Sequence, residues 1–231
     1  MLRLTERQKK MAGMLFKTQC IADIGCDHGR LGAYLIQSGL AGSVIAADIS
    51  NEALNKARNL ARRLGVEEQM QFRCGDGLKV LEKKEAQAAV IAGLSGVTIA
   101  GIMLKGREKE RIYVLQPMSE AFRLREALFK MGFEILDEAV AIENRGRRRF
   151  YEIIKCRWDG LAREPEEKYL YIPKAPLVRR EREMKEFLEY KLDVCKKVLN
   201  GVQRGDGRYG DRDAWFKKQA AFYEEGLICL K

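Results

Sequence analysis

Cys20-Ile-Ala-Asp-Ile-Gly-Cys-Asp-His-Gly29 confines the chain to few folds. A short apolar run carries Asp23 and breaks at Gly25, and a second glycine follows Cys26, Asp27 and His28. Such a break ends a buried strand in a tight turn where backbone can approach a ligand closely. Strand-like and helix-like segments then alternate. Residues 30–37 read as a helix and residues 44–49 as a second strand. Ser50 caps the next helix, in which Ala53, Leu54, Ala57, Leu60, Ala61 and Leu64 share one face. Residues 70–73 make a third strand ending in Gly75-Asp76-Gly77. Residues 88–92 make a fourth, opening into Gly93-Leu-Ser-Gly96 and an apolar helix to Leu104. A fifth, residues 111–115, stops at Gln116-Pro117, and the helix over residues 120–131 ends at Gly132, a good C-cap residue.

The alternation then breaks. Residues 133–142 and 149–156 both read as strands, with only residues 143–148 between them. A connector that short cannot hold a crossover helix, so the pair must be antiparallel. Five β–α units closed by an antiparallel hairpin describe a mostly parallel α/β sheet with one reversed strand. That outline fits the class I methyltransferase (Rossmann-like) variant of the doubly wound fold. Residues 159–176, with Pro165, Pro173 and Pro176, read as a linker. Residues 177–202 form a long amphipathic helix with Met184, Phe187, Leu188, Leu192, Cys195 and Leu199 at helical spacing. The glycine-rich residues 201–210 turn the chain, and residues 214–227 are helical again. The reading is a domain at residues 1–158 and a coiled-coil-like helical hairpin at 159–231, with no internal repeat.

Composition narrows the function classes. Of 231 residues 46% are hydrophobic, enough for a real core. No run of about 18 uncharged apolar residues exists, so no membrane span is expected. Arg7, Lys9 and Lys10 interrupt any signal-peptide core near the start. The six cysteines form no CxxC pair, which suits reduced thiols in a cytoplasm, and one histidine with unclustered cysteines makes no zinc site. The charge is uneven. Residues 1–158 hold 27 basic and 19 acidic residues, so they carry +8 of the net +10. That excess suits a polyanionic partner, nucleic acid first, or simply a soluble basic surface.

The glycine turn argues against a dinucleotide, whose Gly-x-Gly-x-x-Gly fingerprint needs a second glycine to admit pyrophosphate. Asp27 holds that place and would face two phosphates. Carboxylates there suit hydroxyl- and amine-bearing groups and a cationic sulfonium, which separates S-adenosylmethionine from a dinucleotide. Asp48, ending the second strand, suits ribose hydroxyls or the capping of the next helix. Asp76 suits an adenine amino group or a plain turn. These acids would stand at successive strand ends on one sheet edge. Gly93-Leu-Ser-Gly96 leaves room for a planar base or serves close helix packing, and it lacks the Asn/Asp-Pro-Pro-aromatic motif of exocyclic-amine methylation. His28, the one histidine, fits a general base or a loop imidazole holding the turn by a backbone hydrogen bond. Arg145, Arg147, Arg148 and Arg149 at the hairpin tip, with Arg3, Arg7, Lys9 and Lys10, suit a phosphate backbone or a solvated tip.

Together, Asp23-Ile-Gly-Cys-Asp-His28, Gly75-Asp-Gly-Leu78, Ile91-Ala-Gly-Leu-Ser-Gly96, Leu115-Gln-Pro117 and Leu124-Arg-Glu126 resemble, in this order, the bacterial tRNA (adenine(22)-N(1))-methyltransferases. The opening Leu2-Arg-Leu-Thr-Glu-Arg7 is similar to that family's start. The resemblance covers about residues 1–155, and the C-terminal hairpin matches in architecture only. It implies S-adenosylmethionine as methyl donor, tRNA as partner and N1 of adenine 22 as acceptor; beside it, a cytoplasmic monomer without membrane or metal is expected. Cofactor binding is implied for Asp23, Gly25, Asp27, Asp48, Asp76 and Gly77. Catalytic positions are implied at Asp27, His28 and Gly93. The Gln116-Pro117 turn is implied to border the base pocket, while Arg7, Arg145, Arg147 and Arg148 are expected substrate contacts from their charge, with the helical hairpin gripping tRNA. The chain departs from the family pattern at Gly29-Arg-Leu-Gly32, Ser95 and Met118, which bears on the base pocket. Two other readings stay open: methylation of another RNA position or a small molecule, and a non-catalytic RNA-binding protein.

Overall fold

In the computed structural model, which describes residues 2–203 and 213–231, the strand-like runs assemble into one seven-stranded sheet. The chain divides into two units, Met1–Glu164 and Pro165–Lys231. The first unit runs α1 (Glu6–Gly13), β1 (Thr18–Ile24), α2 (Arg30–Gln37), β2 (Ala41–Asp48), α3 (Asn51–Leu64) and β3 (Met70–Cys74). It continues with β4 (Ala88–Ser95), α4 (Gly96–Gly106), β5 (Ile112–Ser119), α5 (Ala121–Lys130), β6 (Phe133–Arg145) and β7 (Arg147–Trp158). The strand order is β3-β2-β1-β4-β5-β7-β6, with β1 to β5 parallel and β7 antiparallel to both neighbours. The mostly parallel sheet closed by a reversed hairpin is therefore present as the sequence implies.

The central strands are buried on both faces, which is why they read as near-continuous apolar runs. Alternate side chains serve two cores. Ile21, Val44, Ala46 and Val90 pack toward Leu31, Leu35, Leu54 and Ala57 of α2 and α3. Ala22, Ile24, Ile45, Ala89 and Ile91 pack toward Ile99, Met103, Leu124 and Leu128 of α4 and α5. Asp23 shares the parity of Ile21 and so faces the α2 side.

Several boundaries differ from the sequence reading. The hairpin strands run almost to their tip, where Arg145 pairs with Arg147 around Gly146. Since β7 pairs Ile154 with Leu115, the tip overhangs the carboxyl ends of the parallel strands. Helix α1 has no counterpart in the apolar pattern because its eight residues are mostly polar. It is set by a capping box, in which Thr5 accepts from the Gln8 N–H and the Gln8 side chain accepts from the Thr5 N–H.

Arg125 of α5 fastens the hairpin. It is 1% exposed and donates from Nε to Glu138 on β6 and from Nη1 to Glu152 on β7, both at 2.8 Å.

In the second unit, residues expected as linker form two short helices, α6 (Lys168–Tyr171) and α7 (Lys174–Val178). The long helix begins later than its apolar pattern suggests, as α8 (Arg182–Gln203), and packs on α9 (Asp213–Cys229). Leu188 meets Gly226 while Lys196 reaches Glu224 at 3.4 Å, so the two helices run antiparallel. The expected glycine-rich turn lies, from residue 204, outside the described residues. Among the described residues no helix is long and apolar enough to cross a membrane.

Candidate active site

The parallel strands deliver acidic side chains to their carboxyl ends because each stops where an apolar run meets a polar turn. Arg7, Asp23, Gly25, Asp27, His28, Asp48 and Gly93 line a single cleft of about 380 Å³ at that edge. Asp48 is its best-fixed acid. One oxygen accepts from the Ser50 N–H at 2.9 Å and the other from the Asp27 N–H at 3.2 Å. Each oxygen keeps a free lone-pair direction for a hydroxyl donor. Ser50, not Asp48, caps α3, its hydroxyl accepting from the Ala53 N–H.

Asp27 adopts a left-handed backbone at φ +48°, uncommon for a residue with a side chain. Its carboxylate pairs with His28 Nδ1 at 2.7 Å. The histidine is thus held by a side chain rather than by the backbone bond considered from sequence. Asp23 is buried and accepts from the Gly32 N–H at 3.2 Å. Burial pushes its carboxyl up to about 6, the Gly32 N–H opposes this, and the Asp48 charge adds to it. Burial, with the Asp23 and Asp48 charges behind it, also drives the Cys26 thiol upward, so it stays protonated and unreactive.

The two glycines after β4 divide the roles weighed for them. A Cβ on Gly96 would lie 2.3 Å from the Glu120 carbonyl oxygen, so Gly96 is there for packing. Gly93, at φ +83°, faces open space, with nothing within 4 Å of a Cβ there. Ser95 caps α4 through the Thr98 N–H.

On the far wall, Arg7 Nη1 donates to Gln116 Oε1 at 2.9 Å and touches the Met118 sulfur at 3.2 Å. Its guanidinium lies 4.9 Å from the Tyr151 ring centroid. Gln116 is fully buried and donates to the Pro117 carbonyl at 2.7 Å; neither residue lines the cleft, and Gln116 is tied to it through Arg7.

Other expected residues lie apart. Asp76 is held by Lys79 at 2.8 Å and Lys105 at 3.4 Å, which keep its carboxyl below the usual range. It does not line the cleft, although the Gly75 N–H bonds to the Asp48 carbonyl next door. Gly77 abuts Ile102, which a Cβ would meet at 2.8 Å. Arg147 and Arg148 are exposed at the hairpin tip, and the Arg145 side chain lies outside the described residues. Sequence reasoning missed Ile49. It is 78% exposed directly after Asp48, and its carbonyl accepts from the Cys74 thiol at 3.5 Å. An exposed isoleucine straight after an acidic strand end was the available signal. Among the described residues no cluster of three or more His, Cys, Asp or Glu could hold a metal ion.

Comparison with known proteins agrees with this geometry. The chain is 34% identical over 157 residues to the Bacillus subtilis (strain 168) tRNA (adenine(22)-N(1))-methyltransferase, covering 66% of this chain and 64% of that one. It thus spans slightly under two thirds of that relative's length. The solved B. subtilis m1A22 tRNA methyltransferase superposes with a TM-score of 0.82 at 23% identity, over 98% of this chain and 100% of the other. An M. capricolum relative, solved with S-adenosyl-homocysteine, also gives 0.82, at 21% identity over 99% of both chains. These two structures share the fold. Residues 4–154 match the family described as "Methyltransferase domain". A cleft of carboxylates at the strand ends and a family match reaching into all seven strands agree: the chain belongs to the methyltransferase-domain family.

Proposed function

We propose that this chain transfers a methyl group from S-adenosylmethionine to N1 of an adenine in tRNA, at position 22 as in its B. subtilis relative. The observation that carries this is the Asp48 carboxylate, held by two backbone N–H groups beside Asp23 and Asp27. The residues fit the donor. Asp48 suits ribose hydroxyls, the neighbouring carboxylates suit cationic groups and would repel a phosphate, and Ile49 offers adenine an apolar face. Asp76 and Gly77, on the adjoining strand end, border the adenine side. Bound there, S-adenosylmethionine supplies a methyl on cationic sulfur, which the lone pair of adenine N1 can attack without prior deprotonation.

The chain's own contribution is then positioning and exclusion of water. Gly25 and Gly93 leave space for the donor and for a base entering edge-on. Arg7, held by Gln116 of the Gln116-Pro117 turn, fixes where that base stops. N1 lies on the Watson–Crick edge, so the base must arrive unpaired or flipped. The Asp27–His28 pair at the rim can accept a proton from the cationic product. The arginines of the hairpin tip, Arg145, Arg147 and Arg148, contact phosphate, and the helices of residues 159–231 hold tRNA by shape. The cleft's lining comes from one chain, which suits the monomer expected from the sequence, in the cytoplasm where tRNA is found.

Incubation with unmodified tRNA and labelled S-adenosylmethionine, followed by nucleoside mass analysis, is expected to yield 1-methyladenosine. Label in any other nucleoside, or none, would refute the assignment.

Asp23 gives the reading a pH signature. A cationic donor prefers the ionised carboxylate, so donor affinity is expected to fall below about pH 6, by up to about tenfold per pH unit. The ligand-free chain shows the opposite sign. Asp23 binds its proton more tightly folded than unfolded, so its stabilising contribution is present below about pH 4 and lost as the pH rises through 6. That amounts to about 3 kcal/mol. Asp23→Asn should flatten both trends in calorimetry and thermal melts run from pH 4 to 8.

A further inference from the structure

A second cleft, of about 520 Å³, opens beside the first along α3. Its walls include His28, Arg30, Lys56, Asn59, Arg62 and Arg63, and no carboxylate lines it. Lys56, Asn59 and Arg63 fall three, four and seven residues apart and so stack on one helix face. They span about 10 Å, the reach of roughly three phosphates along one strand of a duplex. Lys56 pairs with Glu52 at 2.7 Å and Arg62 with Glu67 at 3.0 Å, but these are exposed pairs that a polyanion can displace at little cost. Arg63 makes no ion pair among the described residues. Arg30 is anchored, donating to the Arg3 carbonyl at 2.8 Å.

His28 and Arg30 line both clefts, so the basic groove opens onto the acidic one at the glycine turn. The two have opposite electrostatic character. A mobile small substrate has no use for four cations leading away from the reacting edge, whereas a chain of phosphates does. We propose that the α3 groove seats the phosphate backbone of the substrate RNA, so that the strand bearing the target base enters the donor cleft past His28. This rests on the reading of tRNA as substrate. It adds a contact surface far in sequence from the hairpin-tip arginines, built, His28 apart, from residues given no part in the chemistry.

The test uses the full chain carrying Lys56→Ala with Arg63→Ala, and as control Lys83→Ala with Lys109→Ala, two exposed lysines elsewhere on the same unit. Binding of unmodified transcribed tRNA is measured across a salt series, and S-adenosylmethionine binding by calorimetry. The groove variant is expected to bind tRNA at least about tenfold more weakly, with the log–log salt slope reduced by about two and donor affinity unchanged. The control is expected to match wild type. Wild-type methylation of tRNA combined with an unaltered affinity and salt slope in the groove variant would overturn the groove alone. A wild type that binds the donor but neither binds nor methylates tRNA would overturn the groove and the functional reading together. Equal weakening in groove variant and control would reduce the effect to net charge and overturn the groove.

Discussion

Arg125→Leu is expected to destabilise the chain by about 3–5 kcal/mol, lowering the melting temperature by about 10 °C. The guanidinium is 1% exposed between Glu138 and Glu152, whose side chains are 3% and 7% exposed. Removing it strands two carboxylates in the interior, and the cost is their uncompensated desolvation rather than the worth of the pairs themselves. A triple replacement, Arg125→Met with Glu138→Leu and Glu152→Leu, is therefore expected to recover most of the loss, because all three charges then leave together. Thermal and denaturant unfolding of both variants checks this. If the triple variant is no better than the single one, burial of the lone charges is not the cause. The Leu124-Arg-Glu126 motif, read from sequence alongside the site motifs, is on this account a fastener for β6 and β7 and not part of the chemistry.

Asp48→Ala is expected to weaken S-adenosylmethionine binding by about 100-fold. Two hydrogen bonds to a charged acceptor are each worth about 1.5–3 kcal/mol, and losing them at the lower figure takes about two decades of affinity. The substitution also releases the Asp27 and Ser50 N–H groups, which loosens the left-handed turn at Asp27. Asp48→Asn keeps one acceptor oxygen and should fall between, at about a tenfold loss. Calorimetry on the three proteins decides. Equal affinities would remove Asp48 from the donor site and with it the main support for the donor.

The strand–helix alternation was legible because parallel strands buried on both faces must be apolar throughout, and their helices show one apolar face each. The hairpin was legible from chain length alone, since six residues cannot cross a sheet. Helix α1 escaped that reasoning. Its residues carry little apolar signal, and only the Thr5–Gln8 spacing of its capping box announced it. The short helices α6 and α7 escaped likewise, each being too brief to show a period.

The site was half legible. Asp23, Asp27 and Asp48 lie within, just beyond and at the end of apolar runs, so local pattern found them, and the same pattern offered Asp76 on equal terms. Sheet geometry separates them, placing three in one cleft and tying Asp76 to Lys79 and Lys105. Arg7 and Gln116 stand 109 residues apart and meet because α1 lies against the hairpin beside the end of β5.

By itself the sequence determined the mostly parallel sheet, its closing hairpin with one reversed strand and the acids near the strand ends, since each is written in spacing along a few neighbouring residues. The tertiary structure alone decided which acids share a cleft, what holds His28, what Arg7 touches, and that a basic groove opens beside the glycine turn. Those depend on strand order and register, which bring distant residues together and leave no periodic trace along the chain.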